Sequence, residues 1–200
     1  MYSIFIDTHD RIITIAIYKD GKVLDYKQVE STRSHGDLTM PMIKDILDSN
    51  KITVHDLNEV LVINGPGSFT GVRIGVTIAK TLAYTLNIPI KAISSLEMYA
   101  ISNNTKKDKI VIIRDIKGVF AGEFDSSNKI KKEFYYKSNQ EFNDYIKDNN
   151  YEDNIIESCD INFNDLYEYS KSIEPTIAHK VNPLYIKVIE ALKDDKTSNK

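Results

Sequence analysis

The sequence predicts an α/β protein with mixed sheets and flanking helices, and three observations point there. Apolar, β-branched runs at residues 2–6, 12–18 and 23–29 follow one another closely, the last two joined by the turn Lys19-Asp20-Gly21-Lys22, as in an antiparallel three-stranded unit. Apolar residues at helical spacing then begin at Gly36. Finally, a continuous apolar run at residues 60–63 passes through a glycine-rich turn into a second helical pattern, the order expected of a strand covered on both faces.

In the first helix, residues 36–49, Leu38, Met42, Ile43, Ile46 and Leu47 share one face, and Pro41 is tolerable only in the first turn. Residues 56–59 lead into the strand at 60–63. The second helix runs from about Ser68 to Leu86 and stops before Asn87 and Pro89, where proline bars continuation. Residues 88–93 read as a strand, and Ser94-Ser95-Leu96-Glu97 supplies an N-cap serine with an acid in the first turn of a third helix. Residues 103–109 are polar and aperiodic, so the expected organisation is a lobe at 1–102 and a smaller lobe at 103–200. There, residues 110–113 and 119–124 read as strands around Asp115. Residues 126–174, rich in Lys, Asn, Asp and Tyr, pattern weakly, with short helices expected at 140–147 and 165–172. Residues 194–200 read as a frayed tail.

Composition narrows the function classes. With 42% hydrophobic and 28% charged residues in 200, the chain has ordinary globular composition. A net charge of −3 gives no global footprint for nucleic acid. A single cysteine, Cys159, excludes an intrachain disulfide and a multi-cysteine zinc site, and reads as a small semi-buried residue. Residues 1–6 run into Asp7 and Asp10 without a signal-peptide pattern, and no apolar stretch approaches the ~20 residues of a membrane span, so a cytoplasmic location is expected.

Gly65-Pro66-Gly67-Ser68-Phe69-Thr70-Gly71 lies between strand and helix, the context of many phosphate cradles. Its spacing misses G-x-G-x-x-G, and Val72 stands where a P-loop has lysine. A sharp turn around Pro66 with Ser68 as helix cap explains the residues better. Along the helix, Gly71, Gly75, Ala79 and Ala83 recur every four residues as a side-chain-poor stripe. Apolar and small positions sweep about 200°, twice the ~100° of an ordinary surface helix. Each interior glycine costs about 1 kcal/mol relative to Ala, which implies a compensating close contact. Either that contact lies entirely within the chain, against the first helix, or both helices also face a second protein chain, which Met40 and Met42 would suit.

At these residues the sequence resembles the TsaB (YeaZ) family. Ile6-Asp7-Thr8, Arg33-Ser34-His35 through Leu38, Pro41 and Ile43, residues 65–75, Ile88-Pro89, Ser94-Ser95-Leu96-Glu97, Asp115 with Lys117, and Pro183-Leu184-Tyr185-Ile186-Lys187 carry the resemblance, strongly to about residue 100 and thinly from 126 to 180. It implies a two-lobed actin, sugar kinase and Hsp70-like (ribonuclease H-like) fold. It also implies a non-catalytic role: binding and activating TsaD, which transfers a threonylcarbamoyl group to the adenosine 3′ of the anticodon in tRNAs reading ANN codons. TsaE would join through the TsaB–TsaD complex, tRNA would be met indirectly, and the chain alone would form a homodimer. No cofactor of its own is implied, with ATP and metal on partner subunits. The partner interface so implied comprises His35, Leu38, Met42, Ile46, Ser68, Phe69, Gly71, Val72, Gly75, Val76, Ala79 and Ala83.

Catalytic residues are not expected. The turn Asp7-Thr8-His9-Asp10 has no glycine, and after Gly122 the chain has none at all, whereas catalytic relatives of the fold use glycines to approach nucleotide. The H-x-x-x-H metal pair of TsaD is incomplete, since His35 is followed four residues later by Thr39. His9, His55 and His179 are scattered and read as structural or solvated, Asp7 as a turn residue, and Lys106, Lys107, Lys109, Lys129, Lys131 and Lys132 as solvated. Lys117 stands where the family has arginine, and Gly36 where it usually has serine. A metal-dependent, glycoprotease-like peptidase is the alternative reading, and it lacks a ligand set.

Overall fold

Strand β1 (Tyr2–Asp7) sits at the centre of a five-stranded sheet because both its faces are apolar. It pairs antiparallel with β2 (Ile12–Lys19) and parallel with β4 (Leu57–Ile63); β3 (Lys22–Glu30) and β5 (Ile90–Ile93) complete the order β3-β2-β1-β4-β5. The structure is a computed structural model that describes residues 1–31, 34–103, 105–149 and 151–186. Arg33 and Lys187 of the resemblance, Asn104 of the expected boundary and the expected tail lie outside the described residues.

The period-2 alternation of strands explains how one apolar run serves two cores. Ile4, Ile6, Ile15, Ile17, Val60 and Val62 face helices α1 (His35–Ser49) and α2 (Phe69–Leu86), where Ile43, Ile46, Val76 and Ala79 meet them. Phe5, Ala16, Tyr18, Leu61 and Ile63 face the other way, onto α3 (Ser95–Ser102) and α5 (Phe163–Ser170). That second layer also takes in Val111 and Phe124, so it joins the two sheets.

The second sheet has the order β8-β7-β6-β9, from β6 (Lys109–Arg114), β7 (Gly118–Phe124), β8 (Ile130–Ser138) and β9 (Ile155–Ile156). Its outer face is covered by α4 (Asn139–Asp148) through Phe142 and Ile146. Two mixed sheets with flanking helices make the two-lobed, ribonuclease H-like fold. The chain does not stay with the second sheet after residue 103. Thr176 exchanges backbone hydrogen bonds with Ile90, and Ala178 and Val181 are buried in the α1–α2 core, because that core is apolar to its edge.

Capping accounts for the helix limits. Ser68 Oγ accepts from the Gly71 N–H at 3.2 Å, and Asn87, in the left-handed conformation at φ 54°, closes α2. Ser94 and Glu97 form a reciprocal capping box at α3. Pro41 departs from expectation: α1 starts at His35, so the proline sits inside the helix. The bond it forfeits would reach Asp37, and both residues are exposed, where water can take that carbonyl.

Candidate functional site: the glycine-rich turn and the outer face of the second helix

The turn between β4 and α2 is closed by the chain's own polar groups. The Ser68 N–H donates to the His9 carbonyl at 2.7 Å, the Ser95 N–H donates to the Gly65 carbonyl at 2.9 Å, and Ser95 Oγ donates to the Pro66 carbonyl. A Cβ at Gly67 would lie 2.3 Å from the His9 carbonyl oxygen, so only glycine allows this approach. Three donors of this turn are not available to a phosphate. The N–H groups of Ser68, Gly71 and Val72 are already bonded within the chain, and the facing atoms are the carbonyl oxygens of Thr8 and His9.

The small-residue stripe makes its close contact inside the molecule. A Cβ at Gly71 would stand 2.1 Å from the Thr8 carbonyl oxygen, and one at Gly75 would stand 2.3 Å from Thr8 Oγ1, which itself donates to the Gly71 carbonyl at 2.6 Å. Eight of the residues expected at a partner interface, Met42, Ile46, Gly71, Val72, Gly75, Val76, Ala79 and Ala83, are therefore buried in the chain's own core. At Gly71 and Gly75 the neighbour that fills the stripe is Thr8, just after β1. His35 and Leu38 are half-buried, and Ser68 and Phe69 are exposed. His35 Nε2 donates to the Asp10 carbonyl at 2.6 Å, which ties the start of α1 to the loop after β1.

The surface that α2 does present lies on the part of its wide apolar arc next to the small-residue stripe. Ile74, Ile78 and Leu82 form a half-exposed apolar ridge, flanked by exposed Thr70, Arg73, Thr77, Thr81 and Tyr84, and a Cβ at Gly36 of α1 would stand 3.9 Å from Ile74 Cδ1. At its N-terminal end the Arg73 guanidinium lies 3.7 Å from the centre of the Phe69 ring, and Arg73 Nε donates to the Tyr185 hydroxyl at 3.0 Å. Phe69 is 55% exposed. Tyr185 is far away in sequence, so this cluster had no local signal; an arginine on an acid-free helix was the only hint. Beside the cluster opens a cleft of about 600 Å³ between the lobes, lined by Pro66, Val72, Phe69, Phe120, Leu184 and, at its lip, Ile116. Ile116 is 93% exposed at the tip of the β6–β7 hairpin. Asp115, at the base of that tip, accepts from the Ile116 N–H at 2.7 Å and the Tyr136 hydroxyl at 3.3 Å, while Lys117 is exposed.

Under the turn lies a buried polar relay that links residues far apart in sequence. His9 Nδ1 stands 2.7 Å from Asp7 Oδ1, and His9 Nε2 stands 3.2 Å from the Tyr99 hydroxyl. Burial by itself lowers the His9 pKa, but the Asp7 charge and hydrogen bond, helped by Asp10, raise it above its ordinary value. The His9 N–H also donates to Asp7 at 2.9 Å, the turn role expected of that aspartate. Among the described residues, no three His, Cys, Asp or Glu side chains gather in a way that could hold a metal ion. Burial pushes the Cys159 thiol up to about 11, away from nucleophilic use.

Lys109 also corrects the sequence reading, being fully buried instead of solvated. Its Nζ donates to the carbonyls of Asn103 at 3.4 Å and Thr105 at 3.2 Å, so it caps the segment that leads into the second sheet. No described helix is long and apolar enough to cross a membrane.

Comparisons with known proteins bear on this geometry. The family described as TsaD, tRNA N6-adenosine threonylcarbamoyltransferase, matches residues 27–115, from β3 to the end of β6. The tRNA threonylcarbamoyladenosine biosynthesis protein TsaB of Bacillus subtilis is 42% identical over 95 residues, 48% of this chain and 42% of that protein. Its namesake from Buchnera aphidicola of Schizaphis graminum is 37% identical over 129 residues, 62% of this chain and 61% of that protein. The chain thus spans about half the length of the curated relatives it matches. In fold it is similar to YeaZ from Pseudomonas aeruginosa, with a TM-score of 0.76 at 17% identity, covering 92% of this chain and all of the other. In sequence over its first half, and in fold over most of its length, the chain is similar to proteins of the TsaB (YeaZ) family.

Proposed function

We propose that this chain is a non-catalytic subunit in the formation of threonylcarbamoyladenosine in tRNA, binding and activating a TsaD-type transferase in the cytoplasm. The observation that carries the reading is the α2 surface: a half-exposed ridge of Ile74, Ile78 and Leu82 next to the start of α1 at Gly36, with Phe69 and Tyr84 exposed at either end. A continuous apolar strip on two adjacent helices is suited to pairing with two helices of another chain. The names of its relatives place those proteins in threonylcarbamoyladenosine biosynthesis, which supports the same pathway for this chain.

In this reading the chain supplies packing and the transferase supplies chemistry. ATP and metal belong to partner subunits, TsaE joins through the pair, tRNA is met through the complex, and the same face accounts for a homodimer when the partner is absent. The turn at residues 65–71 favours it over a nucleotide-using enzyme, since the N–H groups of Ser68 and Gly71 are spent on the chain itself and the carbonyl oxygens of Thr8 and His9 face the turn. Against a peptidase role, burial pushes the Cys159 thiol up to about 11, and no three His, Cys, Asp or Glu side chains gather as a metal site among the described residues.

Co-purification tests the reading. Tagged chain should retain the transferase, and Thr81→Trp, a bulky change at an exposed position on the face, should abolish retention while leaving the circular dichroism spectrum unchanged. Retention unaffected by Thr81→Trp would place the partner elsewhere.

A further inference from the structure

The face of α2 carries charge as well as apolar surface, and that charge has one sign. Residues 69–86 include Arg73 and Lys80 but no Asp or Glu, in a chain whose net charge is −3. Arg73 is held by its stack on Phe69 and by the bond from Nε to Tyr185, and no acceptor for its two terminal nitrogens is found among the described residues. A guanidinium fixed at Nε, with its terminal fork free, is pre-organised for a carboxylate. Beside it opens the cleft, whose apolar wall is Val72, Phe120, Leu184 and the exposed Ile116, with Arg114 and Asp115 also lining it.

We infer that Arg73 is an anchor for an acidic residue of the partner protein, whose neighbouring apolar side chain enters the cleft beneath Ile116. This rests on the partner reading above. A second copy of this chain supplies the acid poorly: on α1, Asp45 is held by Lys27 and Asp48 by Lys44, which leaves Asp37 alone. An α2-to-α2 contact would also set like charges against each other. The arrangement has the composition of an interface hot spot, an arginine and two aromatics around a pocket.

The test is a titration of the purified full chain with the transferase, for the wild type, Arg73→Glu, Arg73→Lys and Thr81→Trp. Arg73 is exposed, so its variants should fold, which thermal unfolding checks. Arg73→Glu should weaken binding at least about thirtyfold. Arg73→Lys should weaken it about threefold to tenfold, because the charge stays but the planar stack and fork are lost. The wild-type association rate should fall with added salt more steeply than that of Arg73→Glu. Unchanged affinity in Arg73→Glu, with binding lost in Thr81→Trp, overturns the anchor and leaves the partner reading standing. No binding by the wild type overturns both. If Arg73→Glu instead splits a self-associated form of the chain, or loses only tRNA, while transferase affinity holds, the occupant is a second copy or nucleic acid, and the inference is wrong.

Discussion

Thr8 occupies the space that side chains at Gly71 and Gly75 would need: its carbonyl oxygen faces one glycine and its hydroxyl faces the other. The hydroxyl also donates to the Gly71 carbonyl, so the end of β1 and the first two turns of α2 are locked as one unit. The two glycines should therefore respond differently to substitution. Gly75→Ala should destabilise by about 1–3 kcal/mol. Thr8→Ala in the same chain should make the joint loss smaller than the sum, because the clashing oxygen is gone. Gly71→Ala should gain no such relief, since its obstacle is backbone. Urea unfolding of the single and double variants checks this, and strict additivity for Thr8 with Gly75 would contradict it.

Pro41 gives a prediction of the opposite sign. It sits inside α1 at an exposed position and forfeits a bond to Asp37. Pro41→Ala should stabilise the protein by about 1–2 kcal/mol, the helix gain of ~3 kcal/mol for proline being partly offset by the freer unfolded chain. A lowered thermal midpoint would mean that the ring has packing of its own.

Glu59 and Lys91 form an ion pair at 2.9 Å across neighbouring strands β4 and β5, both nearly buried, with Ser3 Oγ donating to Glu59 at 3.3 Å. Lys91→Met should cost about 3–5 kcal/mol by stranding a buried carboxylate, and adding Glu59→Gln should recover most of that loss. Equal stability of the single and double variants in denaturant would show that the carboxylate finds solvent.

The Asp7–His9 pair sets a pH dependence. Because the folded pKa of His9 is raised above its ordinary 6.5, the stability contributed by its protonated ring is fully present below that value and is lost as pH rises through the folded pKa. The stability gap between wild type and His9→Gln should be widest near about pH 6 and narrow as pH rises beyond the neutral range. A gap independent of pH would show that His9 is neutral throughout.

What could be read from sequence follows from the range of each signal. The limits of α2 were legible because Ser68, Asn87 and Pro89 act within a few residues. The strand β8 was not, because its lysines, glutamate and tyrosines lie on an edge and are only partly covered, so no alternation marks it. The glycine stripe announced a close contact but not its filler, since periodicity records spacing and not direction; Thr8 is sixty-three residues from Gly71. The same limit hid the Asp7–His9–Tyr99 relay and the Phe69–Arg73–Tyr185 cluster, each closed by a tyrosine from a distant part of the chain.

The central claim is that this chain contributes packing and not chemistry to tRNA modification. The direct measurement is threonylcarbamoyladenosine formed in a mixture of purified transferase, ATPase subunit, substrates and tRNA, as this chain is titrated in. Turnover should be absent without it, saturate at one chain per transferase, and vanish with Thr81→Trp. Undiminished turnover without the chain, or modification by the chain alone, would contradict the account.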